Sequence, residues 1–379
     1  MSIKVLHIIT DVNIGGAGHH LLTLIDNINP RFHNEVIVPS DARLIPYLLK
    51  RHIPYHKVQT IATRSFSLTG VTELHAKIKQ INPQIIHTHA SLSGRIAGKL
   101  THKTKIVNTV HSAFPLSNRR KQFPLKNITG LINNTCSDAI IAVSPACKDI
   151  LIQSGTSPEK IHVVYNGMPP AKKLNSEDIQ ALKQKYGINE NKFVAAIIAR
   201  LSKEKGHDTI LDAAKQLPEH IEILIAGDGP YETHLKQRIA DENIRNVRML
   251  GFVEKASDVM NIMDVQINAS NLSEATSLAL IEGMSLGKPA IVTNISGNPY
   301  VITDNVNGLL YEPDVPKALA RNIETLASSK HLYANLAIGA REIYYARFTA
   351  KTMAKNIEAV YDTILAPGFK KEINPSRRS

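Results

Sequence analysis

The 379-residue chain has no tryptophan and only two cysteines, Cys136 and Cys147, whose spacing matches no zinc or redox motif. Both fall in apolar or helical surroundings and read as buried small side chains, which fits a reducing compartment. Long hydrophobic runs are missing too. The longest, such as Phe193–Ala199, extend over about seven residues, whereas a membrane-spanning helix needs about 20. The first residues, Met1 to Ile9, lead straight into a strand and lack a signal peptide's apolar core and cleavage site. A cytoplasmic protein, at most peripheral on the inner face of a membrane, is the expectation. Aromatics make up 5% of the chain and no recognised nucleic-acid module is present, so no nucleic-acid partner is expected.

Acidic residues are scarce in one half only. Residues 1–170 carry 19 Lys/Arg against 8 Asp/Glu, while the remainder is nearly balanced at 26 against 25. Between Lys50 and Lys126 there are 14 basic residues and a single acid, Glu73. Such a field attracts phosphates, nucleic acid or anionic lipid. A non-enzymatic nucleic-acid-binding protein is therefore the alternative of another class, with charge as its only support.

The chain alternates short apolar runs with amphipathic stretches. Strands are predicted at Lys4–Thr10, Glu35–Val38, Gln84–His89, Lys105–Val110, Ala139–Val143 and Ile161–Tyr165, with helices such as His19–Ile28, Val71–Ile81 and Ser91–Thr101 between them. The pattern breaks at Asn166-Gly167 and Pro169-Pro170, then restarts with strands at Phe193–Ala199, Ile221–Ala226, Val247–Leu250, Val265–Asn268 and Pro289–Thr293. Strand–helix alternation with apolar strands implies parallel sheets covered on both faces. Two doubly wound, Rossmann-like α/β domains follow, over residues 1–170 and 171–349. Residues 367–379 read as a basic flexible tail. In open α/β sheets ligands bind beyond the carboxyl ends of the strands, so the active site is expected where two such domains face each other.

Three stretches carry chemistry. Ser273 to Met284 places Glu274 in a loop and Glu282 inside a helix over Leu278–Leu286, with Thr276 or Ser277 as its cap. The amides at that helix start form an anion site, and the glutamates suit sugar hydroxyls. Arg200 and Lys205 follow an apolar strand and are placed to hold a diphosphate. Gly15-Gly16-Ala17-Gly18 lets backbone amides approach a phosphate, although it is not the dinucleotide fingerprint. His87 and His89 share one side of a strand and have the spacing to chelate a metal. With no third ligand apparent nearby, lining or packing is the better reading for them.

The ordered set Gly15-Gly16, His111, Ser144, Asn166-Gly167, Arg200 to Lys205-Gly206, Gly227-Asp228-Gly229-Pro230, Glu274 with Glu282, and Gly287-Lys288-Pro289 resembles the GT-B glycosyltransferases of family 4. The resemblance runs from Lys4 to about Tyr361. It implies a retaining, metal-independent glycosyltransferase with no cofactor beyond its nucleotide-sugar co-substrate, a UDP-sugar first and GDP-mannose next. Glu274, His111, Arg200 and Lys205 would be catalytic. Gly15, Gly16, Arg200, Lys205, Val253, Glu274, Ser277, Leu278 and Glu282 would bind the donor, with backbone near Phe252 and Val253 meeting the base. The helix at about 350–366 would pack back on the N-terminal domain. Ala275, Thr276 and Pro169 depart from the family's common residues, which bears on sugar choice. The absence of any Asp-x-Asp agrees with a diphosphate held by cations and helix termini instead of a metal. A nucleotide-sugar 2-epimerase of the same fold is the nearer alternative. The acceptor is expected to be a glycan or lipid-linked, and Arg119, Arg120, Lys121 and Lys126, set among apolar residues, suit an anionic membrane surface.

Overall fold

A computed structural model describes residues 2–113 and 125–366. They fall into two compact units, one holding residues up to 111, 125–166 and 350–366, the other 112–113 and 167–349.

The first unit is built on a seven-stranded sheet of order β3-β2-β1-β4-β5-β6-β7, with β1 Ile3–Ile9, β2 Phe32–Val38, β3 Tyr55–Lys57, β4 Ile85–His89, β5 Lys105–Val110, β6 Ala139–Ala142 and β7 Ile161–Val163. Every pairing is parallel. Parallel strands need crossovers, and helices supply them here: Gly16–Asn27 between β1 and β2, Leu68–Ile81 before β4, Leu92–Lys99 before β5. Ser67 and Ser91 cap the last two through hydroxyls that accept from Gly70 N–H and Gly94 N–H. On one face Val5, Ile85, Val107 and Ile141 pack with Leu24 and Ile28 and with Met353, Ile357, Val360 and Ile364 of the helix Ala350–Leu365. Each of those aliphatic side chains contributes about 1.5–3 kcal/mol by burial, as an upper estimate.

The second unit has a six-stranded parallel sheet of order β10-β9-β8-β11-β12-β13, formed by β8 Phe193–Ile198, β9 Ile221–Ala226, β10 Val247–Gly251, β11 Val265–Asn268, β12 Ala290–Thr293 and β13 Gly308–Tyr311. One face is covered by Ile210, Leu211, Leu235, Leu319 and Ile323, the other by Val259, Met260 and Ile262. Both sheets reverse direction of growth at their first strand, β1 in one and β8 in the other, as doubly wound sheets do. Two strands escaped the sequence reading, β3 and β13, and both are short edge strands.

Candidate active site

The carboxyl end of β8 delivers the chain into the turn that carries Arg200. That turn is propped by the Gly227–Pro230 turn: Leu201 N–H donates to Asp228 O at 2.7 Å and Tyr231 N–H to Leu201 O at 3.1 Å. Gly227 sits at φ 143°, against the carbonyl of Ala199, where any side chain would collide. Arg200 is 68% exposed and pairs with Glu204 at 3.0 Å, whose carboxylate also accepts from Ser202 Oγ at 2.7 Å. An ion pair this exposed is weak and exchangeable. A short 3-10 turn, Lys203–Lys205, then ends at Gly206 in the left-handed region at φ 70°.

Lys205 is more enclosed. Its Nζ donates to Glu274 Oε2 at 2.7 Å, and the same oxygen accepts from Asn268 Nδ2 at 3.2 Å and Ser270 Oγ at 3.1 Å. Asn268 is the last residue of β11, so this sheet's carboxyl edge orients the carboxylate. Three positions on, Ser277 caps the helix Leu278–Ser285 by accepting from Leu280 N–H at 3.4 Å. Gly297 N–H in turn donates to Glu274 O at 2.6 Å and holds the loop. Glu282 lies within this helix, and burial pushes its carboxyl above the usual range with no partner pulling it back. Val253 follows β10 and is half-buried beside the exposed Phe252.

In the first unit, Gly15 is the N-cap of the helix Gly16–Asn27, which begins three residues before the predicted start at His19. Space is open in front of both Gly15 and Gly16, so no packing inside the chain demands glycine there. Beyond the apolar part of the sheet face, β1 and β4 turn polar: His7 stands beside His87, and Thr109 of β5 beside His89. His20 from the first helix and His111 after β5 complete a group of five imidazoles. His89 stacks on His87 at 4.6 Å and on His111 at 5.3 Å between ring centres, and His20 meets His111 edge-on at 4.9 Å.

Burial keeps these rings neutral. It lowers His7 and His20 to about 4, and His87, His89 and His111 well below the usual histidine range. Neutral rings have definite tautomers, which their neighbours assign. Asn34 donates its amide to Phe32 O, so its Oδ1 accepts from His7 Nε2–H at 3.0 Å. His7 Nδ1 is then the acceptor for His89 Nε2–H at 3.4 Å, and His89 Nδ1 for His111 Nε2–H at 3.0 Å. His87 is separately held by Tyr361 OH and Thr109 Oγ1, each at 2.6 Å. His20 donates Nδ1–H to Asn166 Oδ1 at 2.8 Å, which leaves its buried Nε2 lone pair without a partner.

A third histidine does stand beside His87 and His89: two three-histidine groups, His7-His87-His89 and His20-His89-His111, have ring nitrogens within 4.8 Å of one another. The folded chain also joins Glu274 to Lys205 and Arg200 to Glu204, partners that the sequence reading did not name for either cation. Ser202, Glu204, Asn268 and Ser270 were not singled out. Each ends or follows a strand, β8 or β11, that leads to a chosen residue, and that was the available signal. Arg119, Arg120 and Lys121 lie outside the described residues, as do residues 367–379, and the Lys126 side chain is not described either. Among the described residues no helix is long and apolar enough to cross a membrane.

Two doubly wound parallel sheets, with a cation–carboxylate pair and a capped helix start at the carboxyl edge of the second, define an α/β enzyme of the GT-B fold class. Comparison with known proteins gives the family. Residues 14–172 match the model of Glycosyltransferase Family 4 and residues 178–343 that of Glycosyl transferases group 1, and the chain belongs to this family of GT-B glycosyltransferases. Among its relatives is the UDP-Gal:alpha-D-GlcNAc-diphosphoundecaprenol alpha-1,3-galactosyltransferase of Escherichia coli, 30% identical over 65% of this chain and 66% of that one. The N-acetyl-alpha-D-glucosaminyl L-malate synthase of Bacillus anthracis is 24% identical over 93% of this chain and 95% of that one. The solved structure of Anabaena HepE in complex with UDP and glucose is similar at TM-score 0.84 and 26% identity, covering 95% of this chain and 99% of that one.

Proposed function

We propose that this glycosyltransferase takes its sugar from a UDP-sugar and transfers it with retention of anomeric configuration, without a metal ion, to a glycan or lipid-linked acceptor. The observation that carries the reading is the Lys205–Glu274 pair at 2.7 Å, set three residues before the cap of the helix Leu278–Ser285. Cleaving a glycosyl–phosphate bond leaves negative charge on the departing diphosphate and an electron-poor sugar. Arg200, Lys205 and the amides at Ser277 and Leu278 would take the charge, each preorganised cation contributing about 3 kcal/mol. Glu274, aimed by Asn268 and Ser270, would hold hydroxyls of the transferred sugar. Glu282 would accept from the ribose, and the backbone around Val253 would meet the base.

Gly15, Gly16 and His111 are assigned to donor binding and to the reacting sugar on the family's pattern. With positive charge built into the protein, the diphosphate needs no divalent ion, and the leaving phosphate itself can take the acceptor's proton in a front-face attack. Binding of UDP by HepE supports a uridine donor, with GDP-mannose the second to be tried. The lipid diphosphate in the name of the Escherichia coli relative supports a lipid-linked acceptor at the cytoplasmic membrane face, reached through Arg119, Arg120, Lys121 and Lys126. UDP-sugars and GDP-mannose, each incubated with EDTA and candidate acceptors, test the proposal. UDP release with a product whose anomeric proton coupling matches the donor's is expected. An inverted product, or turnover only after magnesium is added, overturns it.

A further inference from the structure

From the sequence His87 and His89 read as lining or packing, yet the histidines of the first unit are arranged as a ligand set. We propose that His20, His89 and His111 form a binding site for a borderline-soft divalent cation of the zinc class. One ring nitrogen of each lies within 4.8 Å of the others. A tetrahedral zinc ion holds neighbouring nitrogens about 3.3 Å apart, and His89 Nδ1 and His111 Nε2 already stand at 3.0 Å.

Two of the three rings present a lone pair inward and are braced from behind, as metal-bound imidazoles are. His20 gives Nδ1–H to Asn166, leaving Nε2 buried and unpartnered. His89 gives Nε2–H to His7, itself fixed by Asn34, so that its Nδ1 lone pair faces His111. His111 needs only to move its proton from Nε2 to Nδ1, so an ion enters without any net loss of protons. The group His7-His87-His89 is poorer, because Thr109 and Tyr361 already occupy both nitrogens of His87.

Three neutral imidazoles select zinc, copper, nickel or cobalt over magnesium. The site therefore leaves a metal-free diphosphate chemistry intact while converting the second nitrogen of His111 from acceptor to donor. The inference stands on the histidine geometry and is independent of the donor assignment.

The test is equilibrium dialysis of the EDTA-stripped full chain against zinc, with bound metal counted by mass spectrometry and cobalt absorption as a check on ligand type. About one ion per chain is expected, with tetrahedral nitrogen–oxygen cobalt bands, at least tenfold weaker binding in both His20→Ala and His111→Ala, and no change in Cys136→Ser. His111 is the least buried of the three, so its variant decides if His20→Ala does not fold by circular dichroism. Failure to take up a stoichiometric ion overturns the proposal. So does uptake that survives in the folded histidine variants, or thiolate charge-transfer bands.

Discussion

Replacing Lys205 by Met removes a charge while keeping most of the side-chain volume, and the consequence can be worked from its surroundings. Breaking a buried ion pair costs about 3–5 kcal/mol, and an exposed pair is worth about 0.2–1. The Lys205 and Glu274 side chains are 24% and 11% exposed, and Asn268 and Ser270 go on donating to the carboxylate. The expected loss is therefore about 2 kcal/mol, below the fully buried range. Adding Glu274→Gln removes the stranded charge and should restore about 1 kcal/mol, so the two substitutions couple. Transfer behaves differently. Lys205→Met should lower turnover about 10²-fold, and the double variant should not recover it, because neither cation nor carboxylate is then present. Urea unfolding of the four proteins gives the coupling energy, and initial rates of nucleotide release give the activity. Stability effects that add within about 0.3 kcal/mol would refute the pair's role. Recovery of activity in the double variant would refute the assignment of the two residues to separate parts of the donor.

Three further outcomes follow from single sites. Gly206→Ala forces a side chain into a left-handed turn facing Ala269 O and should cost at least about 1–2 kcal/mol by urea unfolding, with weaker nucleotide binding as the Lys205 turn shifts. Tyr361→Phe removes the hydroxyl that meets His87 Nδ1. The orphaned buried nitrogen should destabilise the first unit by about 1–3 kcal/mol in thermal unfolding, and an unchanged midpoint would contradict the bond. His7 and His20 protonate near 4 when folded and at the ordinary 6.5 when unfolded. As pH falls the unfolded chain takes up protons first, so their stabilisation is complete above 6.5 and is lost towards pH 4. That loss amounts to about 3 kcal/mol per ring. Urea midpoints in EDTA at pH 7.5, 6 and 5 should fall in order, and a flat series would contradict neutral burial of the rings.

Much of the fold was legible because a doubly wound sheet writes its central strands as apolar runs. Ala139–Ala142 and Phe193–Ile198 are buried on both faces and show it in their residues. The edge strand Tyr55–Lys57 is three residues long and polar, so no run marks it. The strand Phe32–Val38 was read from Glu35 only, because His33 and Asn34 break its pattern; Asn34 is polar for a reason, as the anchor of His7. The Ser277 cap and the helix behind it could be read from local chemistry, which needs no distant contact. The histidine group could not: His7, His20, His89 and His111 come from separate elements, and only the register of β1, β4 and β5 brings them together. Partners for Arg200 and Lys205 were similarly hidden, Glu274 being far along the chain from Lys205, although Glu204 stood within the motif itself.

Calorimetric titration of UDP and of GDP, each in EDTA, into the unmodified protein and into Arg200→Ala tests the central claim most directly. Arg200 is exposed and, among the described residues, pairs with Glu204 across one turn, so its loss should leave the fold intact. Metal-free binding of UDP, tighter than that of GDP and weakened at least tenfold in the variant, is the predicted result. Binding of neither nucleotide, or binding only after magnesium is added, would contradict a donor site built on cations and a helix start.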